Sequence, residues 1–319
     1  MITIGNNGRR TAAALIASAA AVSMAACGSS TATKSGDNPL AAKPSASASA
    51  GGPVVIGGNN FPESTLLADI YGEALKAKGV TVTYKYQIGS REISYGLLKN
   101  GSVTVMPEYN GALLAYLDPK AVPTSEADTD TQLTAKLASN LIVLNPSPAE
   151  DKDSLTVNAQ TAAKYNLTSA SKISDLSKIA GDLVLGAAPE FQTRQEGLVG
   201  LKSVYGLTFK SFKALDAGGP LTDGALAKNN IQVGDVFTTD STISTKKWVT
   251  LIDDKGLFGY QNVIPVAQKG ALSPAATDAL NAVSAKLDTA TLLDLDTKVG
   301  SGTDPLAAAD TWLQSVGLG

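Results

Sequence analysis

Apolar and polar residues alternate along the chain with the periods of strands and helices. Residues 53–57 form a short apolar run typical of a buried strand, and apolar side chains within 66–75 recur at helical spacing. A strand at 80–86, a helix over 90–99 and another strand at 103–106 follow. Strands that alternate with helices in this way predict a parallel, doubly wound α/β sheet.

The second half of the chain continues this pattern. One helix is predicted over 192–205, between two apolar runs, and three more helices follow residue 273. The strand-like runs here are residues 142–144, 155–157, 183–186, 209–215, 233–237, 248–252 and 263–266. Because residues 53–319 exceed the size that one hydrophobic core usually serves, we expect two lobes.

Residues 1–26 have the pattern of a signal peptide. Arg9 and Arg10 precede an uncharged, alanine-rich run that ends at Ala26 and is shorter than the roughly 20 apolar residues of a membrane-spanning helix. The small residues before Cys27 resemble the lipobox of bacterial lipoproteins, although Met24 departs from the usual branched aliphatic residue. This resemblance implies cleavage before Cys27 and a diacylglycerol on its thiol. The alternative is an ordinary secretory signal followed by an incidental cysteine.

The segment 27–52 is rich in Ser, Ala, Gly, Thr and Lys and contains no aromatic residue. It has too few large apolar side chains to build a core, so we expect a flexible tether behind the lipidated cysteine. Together these parts predict a protein that is lipid-anchored at the extracytoplasmic face of the cell membrane. Residues 53–319 are its folded domain.

Composition excludes several kinds of chemistry. The chain has no histidine and Cys27 is its only cysteine, so histidine-containing triads, multi-cysteine metal sites and intrachain disulfides are ruled out. Its 26 basic and 29 acidic residues give a net charge of −3, which argues against nucleic acid as a partner. We therefore expect a protein that is not an enzyme and that holds no metal or cofactor.

Candidate ligand contacts lie at the carboxyl ends of the predicted strands, where open α/β sheets bind ligands. These positions are residues 59–61, 89–91, 107–109, 188–190 and 237–240. They supply aromatic and neutral polar side chains and few basic ones. Such a site suits a small cationic or zwitterionic ligand and does not suit a phosphate. The acidic loop at 151–153 is expected to be solvated.

Several short motifs occur in the order and spacing of osmoprotectant-binding proteins of ABC transporters, which take glycine betaine, choline, carnitine or related quaternary amines. The motifs are Asn60-Phe61-x-Glu63, Gly89-Ser90-Arg91-Glu92, Pro107-Glu108-Tyr109-x-Gly111, Pro189-Glu190-Phe191-x-x-Arg194, Phe237-Thr-Thr-Asp240 and Asp253-Asp254-Lys255. The resemblance covers most of residues 54–316. It implies the type II periplasmic-binding-protein fold, which has two doubly wound lobes with a ligand cleft between them. Lobe one would comprise about 53–152 and 260–319, and lobe two about 153–259.

The resemblance also implies a binding mode. Members of the family enclose a trimethylammonium group in aromatic rings, which attract the cation through the ring quadrupole. The corresponding rings here are Tyr109, Phe237 and Tyr260. The polar residues near the implied ligand are Asn60, Ser90 and Asp240, for which capping of a helix or turn is the alternative role. The implied partners are a quaternary amine, an ABC permease with its ATPase, and the membrane through the lipid anchor.

Two other functions stay open, and a third is excluded. An amino-acid-binding protein would use Arg194 for the ligand's carboxylate and Asp240 for its amine. A sensory or structural lipoprotein would keep the anchor without needing convergent aromatic and polar groups. An enzyme on this fold, of the porphobilinogen-deaminase type, would attach its cofactor to a cysteine of the folded domain, whereas Cys27 precedes that domain.

Overall fold

Ten strands and eleven α-helices, with four shorter helical turns, make up residues 53–319, the part of the chain that the computed structural model describes. The strands are β1 (Val54–Gly57), β2 (Val82–Lys85), β3 (Val105–Tyr109), β4 (Leu141–Val143), β5 (Leu155–Val157), β6 (Val184–Ala187), β7 (Ser211–Ala214), β8 (Val233–Asp235), β9 (Val249–Thr250) and β10 (Val263–Gln268). The helices are α1 (Pro62–Lys76), α2 (Arg91–Lys99), α3 (Asn110–Leu117), α4 (Glu126–Lys136), α5 (Ala159–Tyr165), α6 (Gly200–Tyr205), α7 (Pro220–Ala227), α8 (Thr242–Thr245), α9 (Pro274–Ser284), α10 (Thr289–Gly300) and α11 (Pro305–Ser315). No helix in this part combines the length and the apolar character that crossing a bilayer requires.

Lobe one is built on a five-stranded sheet with the order β2-β1-β3-β10-β4. Strands β1, β2 and β3 run parallel, and β10 runs antiparallel to both β3 and β4. Helix α1 packs on this sheet with α9, α10 and α11, and buries Leu66, Leu67 and Ile70 completely. The C-terminal helices therefore complete the lobe that the first strand begins.

Lobe two is built on a second five-stranded sheet with the order β7-β6-β8-β5-β9. Strands β6, β7 and β8 are parallel, whereas β5 is antiparallel to both β8 and β9. Its core contains Leu155, Leu185 and Val233, all fully buried. The chain passes between the two sheets twice, after β4 and before β10, so two crossing segments join the lobes.

The α/β class and the two-lobed architecture are confirmed, and two details of the sequence prediction are wrong. Each sheet is mixed rather than wholly parallel, because the chain re-enters lobe one through the antiparallel strand β10 and enters lobe two through β5. The helix predicted over 192–205 is broken: Glu196 and Gly197 have non-helical backbone angles, and only Gly200–Tyr205 is α-helical. The break turns the buried Glu196 carboxylate toward Gln261, whose Nε2 donates to it at 2.9 Å.

Two helical glycines offer a matched test of the packing at the second crossing. A Cβ on Gly111 would lie 2.0 Å from the backbone oxygen of Tyr260, whereas a Cβ on Gly96 in α2 would meet nothing within 4 Å. We expect Gly111→Ala to lower the free energy of unfolding by about 1–3 kcal/mol through overpacking. Gly96→Ala should raise it by about 0.5–1 kcal/mol, because alanine restricts the unfolded chain. Urea denaturation measures both, and equal stabilities would contradict the close approach.

Candidate functional site

A cavity lies between the lobes, where strand ends of the two sheets face each other. Lobe one lines it with residues that follow β1 and β3 and begin α2; lobe two lines it with residues that follow β6, β7 and β8. The two crossing segments contribute Asp151 and Gln261. The aromatic, charged and polar side chains that line the cavity include Asn59, Asn60, Phe61, Ser90, Arg91, Tyr109, Asp151, Asp153, Glu190, Arg194 and Phe237.

Three aromatic rings from both lobes meet at this cavity. Phe61 lies between the other two rings: its centroid is 6.3 Å from that of Tyr109 and 5.3 Å from that of Phe237. Phe61 immediately precedes α1 and has extended backbone angles, while Pro62 occupies the first helical turn. Because Phe237 belongs to lobe two and the other rings to lobe one, the cluster forms only when the lobes approach each other.

Glu63 connects the lobes behind the rings. It is buried in the first turn of α1, and the Tyr109 hydroxyl donates a hydrogen bond to its Oε1. Thr239 of lobe two donates to Oε2 at 2.7 Å. Burial raises the pKa of Glu63 well above its usual range, and the neighbouring Asp296 raises that pKa further. The raised pKa shifts Glu63 toward its protonated form, and in either form its carboxyl group accepts hydrogen bonds from both lobes.

Each arginine at the cavity already pairs with a carboxylate. Arg91 directs Nε and Nη2 at Glu108, with Nη2 2.9 Å from Oε2, and this ion pair is buried within lobe one. Arg194 of lobe two spans the cleft and donates from Nε and Nη2 to Glu92 of lobe one, at 3.0 and 2.9 Å. Although burial by itself raises the pKa of Glu92, hydrogen bonds from Arg194 and Ser90 bring that pKa down to about 2.

Acidic side chains outnumber basic ones around the cavity. Asp151 is buried and accepts hydrogen bonds from Thr238 Oγ1 at 3.0 Å and from the Thr239 amide at 3.1 Å. Burial and the nearby Glu63 raise the pKa of Asp151 well above its usual range. Asp153 also lines the cavity, where burial raises its pKa while Arg194 and Arg91 act in the opposite direction. The loop expected to be solvated therefore faces the ligand cavity instead, because it is part of the first crossing.

Four of the six residues predicted as ligand contacts line this one cavity: Asn60, Ser90, Tyr109 and Phe237. Tyr260 lies instead at a separate cavity, which Pro123 of lobe one also lines, with Lys152 Nζ 5.8 Å from its ring centroid. Asp240 faces a neighbouring cleft and caps the turn before α8, accepting from the Thr242 amide and hydroxyl, both at 2.7 Å. Cys27 and the tether lie outside the described residues.

Strand-end positions in the sequence already included Asn59, Phe61 and Arg91 of this cavity, whereas Asp151 and Asp153 were missed. Phe61 and Asn59 stood at the end of the first predicted strand, so the strand-end rule already included their positions. Arg91 likewise began the second predicted helix. The contributions of Asp151 and Asp153 depend on where the crossing runs between the two lobes, and no local pattern indicates that path.

A cavity enclosed by two α/β lobes that two crossings join defines a two-lobed solute-binding protein. The chain belongs to the family described as the substrate-binding domain of ABC-type glycine betaine transport systems, which matches residues 52–315. This membership places it among transport proteins that capture a solute rather than among enzymes.

Two curated relatives agree with this assignment, and a solved structure shares the fold. The chain is 27% identical over 281 residues to the glycine betaine-binding protein YehZ of Escherichia coli K12, covering 84% of this chain and 92% of the relative. It is 27% identical over 260 residues to the glycine-betaine-binding protein of Pseudomonas aeruginosa, covering 76% and 81%. A glycine betaine/carnitine/choline ABC transporter structure superimposes with a TM-score of 0.65 at 23% identity, covering 83% of this chain and 99% of that one, and shares the fold.

Glu63→Gln tests the protonated state of Glu63. A carboxyl group whose pKa folding raises stabilises the fold below its usual pKa, 4.5 for Glu63, and that contribution is lost as the pH rises. Glutamine keeps the shape and stays neutral. We expect the variant to melt near the wild-type temperature at pH 4.5 and about 2–4 °C above it at pH 8, measured by circular dichroism.

The exposed carboxylate at the start of α4 provides the matched control for this measurement. Glu126→Gln should show no gain that grows with pH, because Glu126 is exposed. A difference in melting temperature between Glu63→Gln and wild type that is the same at pH 4.5 and pH 8 would contradict the raised pKa of Glu63.

Proposed function

We propose that this protein captures a small quaternary-ammonium solute outside the cytoplasm, by means of an aromatic cage, and delivers it to an ABC permease. The observation that carries the proposal is the convergence of Phe61, Tyr109 and Phe237 from two lobes on one cavity. A trimethylammonium group has no N–H to donate, so ring faces and nearby negative charge are the contacts available to it. Each ring contributes roughly 0.5–2 kcal/mol toward the cation, depending on desolvation.

The proposed ligand set is Asn60, Phe61, Ser90, Tyr109 and Phe237. Tyr260 and Asp240 face other cavities, so this set leaves them out. The amino-acid alternative needs Arg194 and Asp240 at one ligand. Because Arg194 lines the cavity and Asp240 does not, the geometry favours the quaternary amine.

Relatives supply independent support for the ligand class. The Escherichia coli and Pseudomonas aeruginosa proteins are named for glycine betaine. A choline-binding protein of an ABC transporter, solved with choline, shares the fold with a TM-score of 0.59 over 84% of this chain and 89% of that one. Glycine betaine and choline share one chemical feature, the trimethylammonium group, which is the group that the ring cluster suits.

Delivery completes the proposed function. A binding protein of an ABC importer works with a permease and its ATPase, and the predicted lipid on Cys27 would hold this chain at the same membrane. A single acyl chain anchors weakly, whereas two or more give stable attachment, as a lipoprotein cysteine would provide.

Substitution of a cage ring distinguishes a cation site from a plain apolar pocket. Phe237→Leu keeps apolar volume but removes the ring face, so we expect affinity for the tightest of choline, glycine betaine and carnitine to fall about 3- to 10-fold. Affinity for the neutral isostere 3,3-dimethyl-1-butanol should be weak in the wild type and unchanged by the substitution. Isothermal titration calorimetry on the full chain measures both ligands.

Tyr260→Leu is the matched control for Phe237→Leu, because Tyr260 is an aromatic residue of a different cavity. It should leave the affinity for the charged ligand unchanged. If Phe237→Leu weakens the charged and neutral ligands equally, the rings act only as apolar surface and the cage proposal is wrong.

Substitution of Cys27, the only cysteine of the chain, tests the predicted lipid anchor. We expect the wild-type protein to partition into the detergent phase of Triton X-114 and to yield an N-terminal peptide with acylated Cys27. Cys27→Ser should move the protein to the aqueous phase or leave an uncleaved precursor. A wild-type N-terminus that mass spectrometry identifies as an unmodified residue other than Cys27 would contradict lipidation.

A further inference from the structure

After its two arginines are paired, the cavity is still lined by more acidic than basic side chains. The guanidinium groups of Arg91 and Arg194 each face a carboxylate along the Nε–Nη2 edge, and the two partners, Glu108 and Glu92, cancel their formal charges. The other ionisable side chains that line the cavity are Asp151, Asp153 and Glu190. Glu190 also lies within 4.0 Å of Arg194. A ligand that brought its own carboxylate would therefore add negative charge to a site that already holds an excess of acidic groups.

Asn59 adds an acceptor that has no donor. The residue lines the cavity and is only 3% exposed, and its backbone amide donates to Ser64 Oγ at 2.8 Å. Its side-chain Oδ1 is buried and finds no hydrogen-bond partner within the described residues 53–319. Buried acceptors are almost always paired in folded proteins, because leaving one unpaired costs free energy. A hydrogen-bond donor on the ligand would satisfy Asn59.

We infer that the cavity selects a cation that also donates a hydrogen bond, an amino alcohol such as choline, over the zwitterion glycine betaine. The inference rests on the proposed function and narrows its ligand class. Choline carries one positive charge, which offsets the excess of carboxyl groups, and a hydroxyl group, which can donate a hydrogen bond to Asn59 Oδ1. Glycine betaine has a carboxylate that cancels its positive charge and has no hydrogen-bond donor, so it can neither offset the carboxyl groups nor donate to Asn59.

Three ligands separate charge from hydrogen bonding. The full chain is titrated calorimetrically with choline, with choline methyl ether, which keeps the charge and loses the donor, and with glycine betaine. We expect choline to bind about ten-fold more tightly than the ether, the usual scale of one hydrogen bond to a buried acceptor, and at least ten-fold more tightly than glycine betaine. Affinity for glycine betaine equal to or above that for choline overturns the inference and leaves the proposed function standing. If none of the three binds, the proposed function itself is wrong.

The variant Asn59→Ala tests whether Asn59 accepts the hydrogen bond from the choline hydroxyl. It should lower the affinity for choline about ten-fold and leave the affinity for choline methyl ether unchanged. The preference for choline over the ether should therefore disappear. If the preference were steric, the variant would instead strengthen binding of the ether, and that result overturns the role of Asn59. Asn262→Ala is the matched control, because Asn262 is also buried with an unpaired Oδ1 but does not line the cavity. It should preserve the ratio of choline to ether affinity, even if it changes stability.

Discussion

The carboxyl group of Glu63 is shared by the two lobes. Glu63 lies in the first turn of α1 in lobe one, where it accepts a hydrogen bond from the Tyr109 hydroxyl. It accepts another from the Thr239 hydroxyl of lobe two. An ionised carboxylate at this depth would be costly to desolvate, and Asp296 beside it would add repulsion. The raised pKa of Glu63 favours the protonated form, which lowers both costs. The position of Tyr109 at the cavity therefore depends on a buried acid that accepts hydrogen bonds from both lobes.

Arg91 and Arg194 stabilise the structure around the cavity by forming ion pairs. Arg194 and Glu92 form a two-bond ion pair across the cleft, so they connect the lobes at the rim while Glu63 connects them deeper in. Arg91 and Glu108 form a similar pair inside lobe one, where each buried charge needs the other. One edge of each guanidinium group is thus paired with a carboxylate, and under the proposed function recognition of the cation falls to the rings and to the acidic and amide groups of the cavity. Because a carboxylate balances each arginine, these two residues give the cavity no excess of positive charge.

Local sequence pattern predicted much of this site because the site stands at strand ends. Tyr109 and Phe237 follow the apolar runs of β3 and β8, and a doubly wound sheet brings such positions to one edge. The same reasoning cannot follow a segment that leaves one lobe for the other. Asp151 lies in such a crossing, so its burial depends on contacts with Thr238 and Thr239, nearly ninety residues away in sequence. Tyr260 lies in the second crossing, and there its predicted cage position did not match the cavity that its ring faces.

The excess of carboxyl groups also relates ligand capture to lobe closure. Asp153 faces Asp235, and burial raises the pKa of both groups, as it raises the pKa of Glu196 to about 8. Acids that are buried in this way must either hold protons or find a compensating charge. Under the proposed function, a bound cation supplies that charge in the closed arrangement and has little to offer when the lobes are apart. A ligand shifts a conformational equilibrium only by its difference in affinity for the two states. The rings are divided between the lobes, with Phe61 and Tyr109 in lobe one and Phe237 in lobe two, and so create such a difference. The rings proposed to select the cation would therefore also favour the closed form that carries it.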